Sequence, residues 1–131
     1  MGSFQFFDIE QNTEEWLQAR SGMPTSSKLS CVMANYGKAF GTPAVKYARK
    51  IALEIVTGKP VSDGFSNSHT ERGHEEEPIA RALYEARTFS SVTNGGFFTD
   101  GATGCSPDGL GGDDGVTEFK SVIYSVQFDN I

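Results

Sequence analysis

The run from Cys105 to Lys120 reads Cys-Ser-Pro-Asp-Gly-Leu-Gly-Gly-Asp-Asp-Gly-Val-Thr-Glu-Phe-Lys, and it constrains the fold more than any other stretch. Glycine and aspartate concentrated between Gly111 and Gly115 are turn chemistry, so short extended segments must lie on either side. Strand side chains alternate faces, which puts Glu118 and Lys120 on one side and sends Phe119 into packing on the other. If the segment before the turn pairs with the segment after it, Asp108 comes next to Glu118. Two carboxylates and an amine on one sheet edge make a cradle for Mg²⁺ or Mn²⁺, and such a cradle suits hydrolysis of a phosphodiester. The plainer alternative is a solvated hairpin with Glu118 and Lys120 as a surface pair. Spacing alone does not separate the two, because acidic turns are common.

Size and charge narrow the choice. The 131 residues read as a single domain over 1–131. No stretch approaches 18 apolar residues and no basic-then-apolar leader opens the chain, so no membrane association is expected. Cys31 and Cys105 make neither a disulfide scaffold nor a zinc site, which gives a cytoplasmic setting as the expectation. A net charge of -6 argues against coating nucleic acid through a broad basic surface. A nuclease survives that argument, since metal-binding carboxylates are themselves negative and a bound cation reverses the local field.

Along the chain, Phe4, Phe6 and Phe7 mark an extended lead-in or short strand. Asn12 or Thr13 caps a helix running through Trp16, Leu17, Ala19 and Arg20, stopped at Gly22. Thr25-Ser26-Ser27 then precedes a second, apolar-striped helix from Lys28 to Met33, with a hydroxyl residue at its N-cap. With Arg20 and Lys28 nearby, this corner reads either as a phosphate seat or as hydroxyls that merely cap a helix. Ala44, Tyr47, Ala48, Ile51, Ala52, Ile55 and Val56 recur at helical spacing as core positions, with Gly58-Lys59-Pro60 as the stop. Residues 61–70 read as an exposed loop, and His69 and His74 as surface histidines. A helix follows, starting in the turn before Pro78, with Ile79, Ala80, Leu83 and Tyr84 against the sheet and Glu77 beside Arg81. Residues 90–100 give either two short strands or one bulged strand about Gly95-Gly96, and a strand is expected over 116–122. Residues 123–131 either extend that strand or begin a helix. Helices first and strands last predict an α/β (α+β) domain with one small mixed sheet flanked by helices.

Pro107-Asp108 followed by Glu118-Phe119-Lys120 resembles the signature of the restriction-endonuclease-like superfamily, Pro-Asp then Asp/Glu-x-Lys. More narrowly, the chain resembles the YqaJ or lambda-exonuclease family of phage recombination nucleases. Glu15 to Gly22 with Thr25-Ser26-Ser27, the acidic helix from Arg72-Gly73 to Tyr84, and Cys105 to Leu110 fall in that family's order.

The resemblance implies Mg²⁺-dependent digestion of double-stranded DNA from its 5′ end, with Mn²⁺ as a substitute. It also implies a homo-oligomer, commonly a trimeric ring, and a single-strand annealing protein as partner. By residue, it implies that Asp108, Glu118 and the Phe119 carbonyl bind metal and that Glu77 completes the site. Lys120 would act on the attacking water and on the phosphate's charge, while Arg20 and Ser27 would hold the terminal 5′ phosphate. A lysine flanked by carboxylates stays protonated, which favours its electrostatic role over that of a base. The family continues well past the Glu-x-Lys strand, so the chain is expected to lack the C-terminal part of the family fold. Two alternatives stand beside the exonuclease. One is a weak or inactive short homologue that binds DNA ends or a recombination partner; the other is an endonuclease of the same superfamily, for which Arg20 would matter little.

Overall fold

The computed structural model describes residues 3–35, 38–62 and 68–122. These divide into two compact units, one drawn from Met1–Asp63 and Asn94–Pro107, the other from Gly64–Thr93 and Asp108–Ile131. Helices and strands are mixed as expected, and among the described residues the strands form two three-stranded sheets.

In the first unit, β1 (Gln5–Phe7) pairs antiparallel with β3 (Phe97–Thr99), which pairs antiparallel with β4 (Gly104–Cys105). The register sets Phe6 opposite Phe98 and Phe7 opposite Phe97, with ring centroids 4.7 Å and 6.4 Å apart. Phe97, 1% exposed, is the most deeply buried large side chain. The closeness of Gly95 to the Pro107 carbonyl explains that glycine, because a Cβ there would overlap the carbonyl oxygen. Gln11 Nε2 spans the same place, donating to the carbonyls of Gly96 (3.1 Å) and Pro107 (2.7 Å).

Helix α1 (Glu14–Arg20) starts where the sequence put it, with the Thr13 hydroxyl accepting from the Trp16 N–H at 3.3 Å. A 3₁₀ turn (Ser26–Lys28) leads into α2 (Leu29–Val32), but no hydroxyl side chain caps either element. The capping alternative for Thr25-Ser26-Ser27 is therefore corrected. The hydroxyls of Thr25 and Ser27 are turned instead to Arg20.

Helix α3 (Thr42–Thr57) ends at Gly58 as expected, with the Gly58 N–H donating to the Glu54 carbonyl at 2.8 Å. Its inward stripe differs from the apolar pattern. Ala44 and Glu54 are buried, whereas Ile55 and Val56, expected in the core, are 65% and 83% exposed. The stripe through positions 44, 47, 51 and 54 carries the helix's 3.6-residue period, and Ile55 and Val56 lie off it. Glu54 is accepted inside because its carboxylate has donors, the N–H groups of Val61 (3.1 Å) and Gly22 (3.5 Å).

In the second unit, α4 (Ser68–Thr88) begins earlier than the sequence suggested, so Ser68 to Thr70 are helical rather than loop. Residues 63–67, the rest of the expected loop, lie outside the described residues, as does the alternative set out for 123–131. Pro78 sits inside the helix instead of in its first turn, where it removes one backbone donor and its ring crowds the preceding turn. Its face is also corrected. Ile79 and Leu83 are 61% and 57% exposed, and the half-buried stripe carries Glu77, Arg81 and Glu85. These polar groups face inward because each finds a partner there: Glu85 Oε1 accepts the Val92 N–H at 2.7 Å, and Arg81 donates to the Asp108 carbonyl.

The second sheet orders β2 (Val92–Asn94), β5 (Gly109–Gly111) and β6 (Gly115–Thr117). The β5–β6 hairpin is antiparallel with Gly109 opposite Thr117 and Gly111 opposite Gly115. Gly109 has no room for a side chain, since a Cβ would press on Val92 and Thr117. The strand expected over 116–122 stops at Thr117; beyond it the main chain turns its Phe119 N–H to the Asp108 carboxylate in place of a ladder partner.

Candidate active site

The hairpin register delivers what the turn chemistry promised. With Gly109 opposite Thr117, Asp108 and Glu118 are the next residues out on the two sides of the hairpin. Asp108 Oδ2 accepts the Phe119 N–H at 2.6 Å, which ties the carboxylate to the Glu-Phe-Lys segment. Phe119 is half-buried, its ring edge-on to Tyr84 at 6.1 Å, while Glu118 and Lys120 are exposed. The alternation expected of Glu118, Phe119 and Lys120 thus persists past the end of the strand.

Lys120 Nζ meets Glu118 Oε1 at 2.6 Å, with side chains 74% and 54% exposed. The hydrogen bond to Glu118, reinforced by the charges of Glu118 and Asp108, holds the lysine pKa above its ordinary value. Lys120 is a cation here. Glu77, on α4, is the third acid: burial pushes its pKa up, and the negative charges of Asp108 and Glu118 push the same way. Arg81 and His74 oppose the shift without cancelling it, even though Arg81 Nη2 lies only 3.7 Å from Glu77 Oε1. Three carboxylates therefore feel one another, and a positive ion among them would relieve the strain on Glu77. Their oxygens are the hard donors that Mg²⁺ takes. Among the described residues, however, no group of three or more His, Cys, Asp or Glu is arranged to hold a metal ion. Asp108 gives one oxygen to the Phe119 N–H and Glu118 one to Lys120, so each carboxylate keeps acceptor capacity beyond these bonds.

Arg81 was not singled out for chemistry by its residue type. Its Nη2 donates to the Asp108 carbonyl at 2.8 Å while facing Glu77, so one guanidinium touches both acids' positions. The signal was present in the four-residue spacing from Glu77. On the same helix, Glu76 meets the Ser121 hydroxyl just past the Glu-Phe-Lys segment.

In the other unit, Arg20 Nη2 bonds Ser27 Oγ (3.0 Å) and Thr25 Oγ1 (3.3 Å), and the two hydroxyls are 3.3 Å apart. Arg20 and Ser27, expected together, are together, and Thr25 joins them. The corner is braced by the Thr25 N–H to Tyr47 Oη bond (3.0 Å) and by the Gly104 N–H to Pro24 carbonyl bond (3.0 Å). The Arg20 guanidinium carbon lies 4.0 Å from the centroid of the Trp16 ring, and Trp16 Nε1 donates to Ser106 Oγ at 3.0 Å. Trp16 and Ser106 carried no role in the sequence reading, although Trp16 precedes Arg20 by the same helical spacing that links Glu77 to Arg81.

Known structures share this fold. The crystal structure of LHK-Exo in complex with dAMP is 35% identical with a TM-score of 0.74, covering 90% of this chain and 58% of that one. The crystal structure of the alkaline exonuclease LHK-Exo from Laribacter hongkongensis is 33% identical with a TM-score of 0.73 and the same coverage, 90% and 58%. The chain thus spans a little over half the length of these structures, and the likeness shows the restriction-endonuclease-like α/β core. No curated protein sequence matches it. Residues 15–129 match the YqaJ-like viral recombinase domain, a span that takes in both clusters, and the chain belongs to that family.

Proposed function

We propose that this chain carries the nuclease core of a divalent-metal-dependent deoxyribonuclease that digests double-stranded DNA from a 5′-phosphorylated end. The observation that supports this best is Glu77, a partly buried acid whose proton affinity is raised by Asp108 and Glu118. Acids gathered against their mutual repulsion favour a site built for a cation. Relationship to an alkaline exonuclease supports this reaction class. The dAMP held by LHK-Exo is a deoxynucleoside monophosphate, the class of product that stepwise cleavage releases.

In this reading Asp108, Glu118, Glu77 and the Phe119 carbonyl hold Mg²⁺, with Mn²⁺ able to replace it. The bound ion lowers the pKa of water and screens the phosphate. Lys120, kept protonated by Glu118, offers its positive charge to the phosphate as negative charge develops there, and is not the base. Arg81 holds the Asp108 main chain and offsets part of the acids' repulsion. Arg20, Ser27 and Thr25 receive the terminal phosphate through a planar donor fork and two hydroxyls. A ring of copies and a single-strand annealing partner belong to the same proposal.

The test is Mg²⁺ added to a linear duplex with 5′ phosphates, beside a covalently closed circle. Loss of the linear DNA alone is expected, and nicking of the circle would replace the exonuclease with an endonuclease. A second reading, an inactive end-binding homologue, draws on the partners already held by Asp108 and Glu118. End binding without loss of either DNA in Mg²⁺ or Mn²⁺ would establish it.

A further inference from the structure

The Arg20 corner depends on a residue outside the Thr25 and Ser27 pair. Trp16 presents its ring face to the Arg20 guanidinium at 4.0 Å and spends its only side-chain donor on Ser106 Oγ at 3.0 Å. Its main chain is fixed as well, through the N–H bonded to the Thr13 cap. A ring pinned at its N–H and at its backbone is a fixed plate. The guanidinium lying on that plate has one face covered and its edge directed to Thr25 and Ser27. A planar fork recognises phosphate through its edge, and an arginine already stacked loses less rotamer freedom when it does so.

We infer that Trp16 is a positioning residue for recognition of a 5′ phosphate, setting the plane in which Arg20 meets a DNA end, and that Ser106 acts through it by pinning the ring. This rests on the proposed phosphate role of Arg20. The cation–ring contact sits in a partly exposed setting, where such contacts change affinity by roughly two- to tenfold.

The experiment measures equilibrium binding of two duplexes, identical except for a 5′ phosphate or a 5′ hydroxyl, in EDTA so that no cleavage intervenes. The readout is the ratio of the two dissociation constants for wild type, Arg20→Ala, Trp16→Leu, Trp16→Phe and Ser106→Ala, each checked by thermal melting. Trp16→Leu is expected to cut the phosphate preference about as far as Arg20→Ala, roughly three- to tenfold. Adding it to Arg20→Ala should cost nothing further in the ratio. Trp16→Phe, which keeps a ring face but loses the N–H, and Ser106→Ala, which removes the pin, should both give intermediate ratios.

A packing role for Trp16 alone would weaken both duplexes equally and leave the ratio intact, and that result overturns the inference while Arg20→Ala still lowers it. Should Trp16→Leu fail to fold, the phenylalanine and Ser106→Ala variants decide, and wild-type ratios in both would overturn it. If Arg20→Ala itself keeps the preference, the phosphate role of Arg20 falls first and the inference with it.

Discussion

Replacing Arg81 with methionine isolates the contribution of one guanidinium to the acidic cluster, because the aliphatic length is kept while the donors and charge go. The hydrogen bond to the Asp108 carbonyl is short, 2.8 Å, and partly buried. A bond from a charged donor of this kind contributes about 1.5–3 kcal/mol, and the carbonyl left behind lacks its partner. The ion pair with Glu77 adds little: its atoms are 3.7 Å apart and the side chains are 32% and 28% exposed. Such pairs contribute about 0.2–1 kcal/mol after solvent screening. Together the loss should be about 2–4 kcal/mol. Urea unfolding followed by far-UV circular dichroism should register it as a midpoint lowered by roughly 1 M, given slopes of about 1–3 kcal/mol/M for small proteins. Asp108→Asn is the control, since it leaves the backbone carbonyl in place and should fall short of that loss. A methionine variant within about 0.5 kcal/mol of wild type, the usual span of an exposed substitution, would refute the assignment of Arg81 as the tie to Asp108.

Glu77→Gln should abolish cleavage yet make the protein more stable at neutral pH. The folded state raises the Glu77 pKa, so its charged form costs stability above that raised value, and the cost disappears as pH falls through it towards the ordinary carboxylate range. Melts across pH 4 to 8 should show the variant's advantage shrinking on acidification, and an advantage that grows would reverse the sign of the argument. Mg²⁺ or Mn²⁺ should raise the melting temperature of wild type and leave Asp108→Asn unmoved; equal shifts in both would place the ion elsewhere. Lys120→Met should abolish cleavage, and the raised lysine pKa means that the wild-type rate shows no alkaline decline from this group until above the ordinary lysine range. A rate that instead rises with pH through the lysine's titration, with no activity left in Lys120→Arg, would make Lys120 the base after all. Gly95→Ala should destabilise the protein by at least about 2 kcal/mol, because its Cβ meets backbone at Pro107 that has no rotamer to yield; wild-type stability there would put the close approach in error.

The parts of this fold that were legible in the sequence are those fixed by local chemistry. A cap at Asn12 or Thr13, Gly58 as stop, extended chain about Gly95-Gly96 and the hairpin between Asp108 and Glu118 each follow from residues a few positions apart, with Thr13 and two separate strands the outcomes. The pairing of Arg20 with Ser27 was legible for the same reason. What stayed hidden depends on partners distant in sequence. Ile79 and Leu83 carry the better apolar pattern on α4, but the charged stripe is half-buried because Arg81 and Glu85 find Asp108 and Val92. Glu54 is buried for the same kind of reason, with two backbone donors that no periodicity announces. Trp16 looks like a core aromatic until its N–H is seen on Ser106, 90 positions away in the chain.

Glu77, Arg81 and Glu85 stand one helical turn apart in succession, the first among the acids, the second on the Asp108 carbonyl, the third on the Val92 N–H. A helix turns about 100° per residue, so the phase of α4 sets all three at once. Point changes along this row can be met one at a time, each with its own loss. Deleting or inserting a single residue between 77 and 85 would instead swing one end of the row out of phase with the other, uncoupling the acid from its anchor at β2. This helix should therefore accept many spellings but only one length.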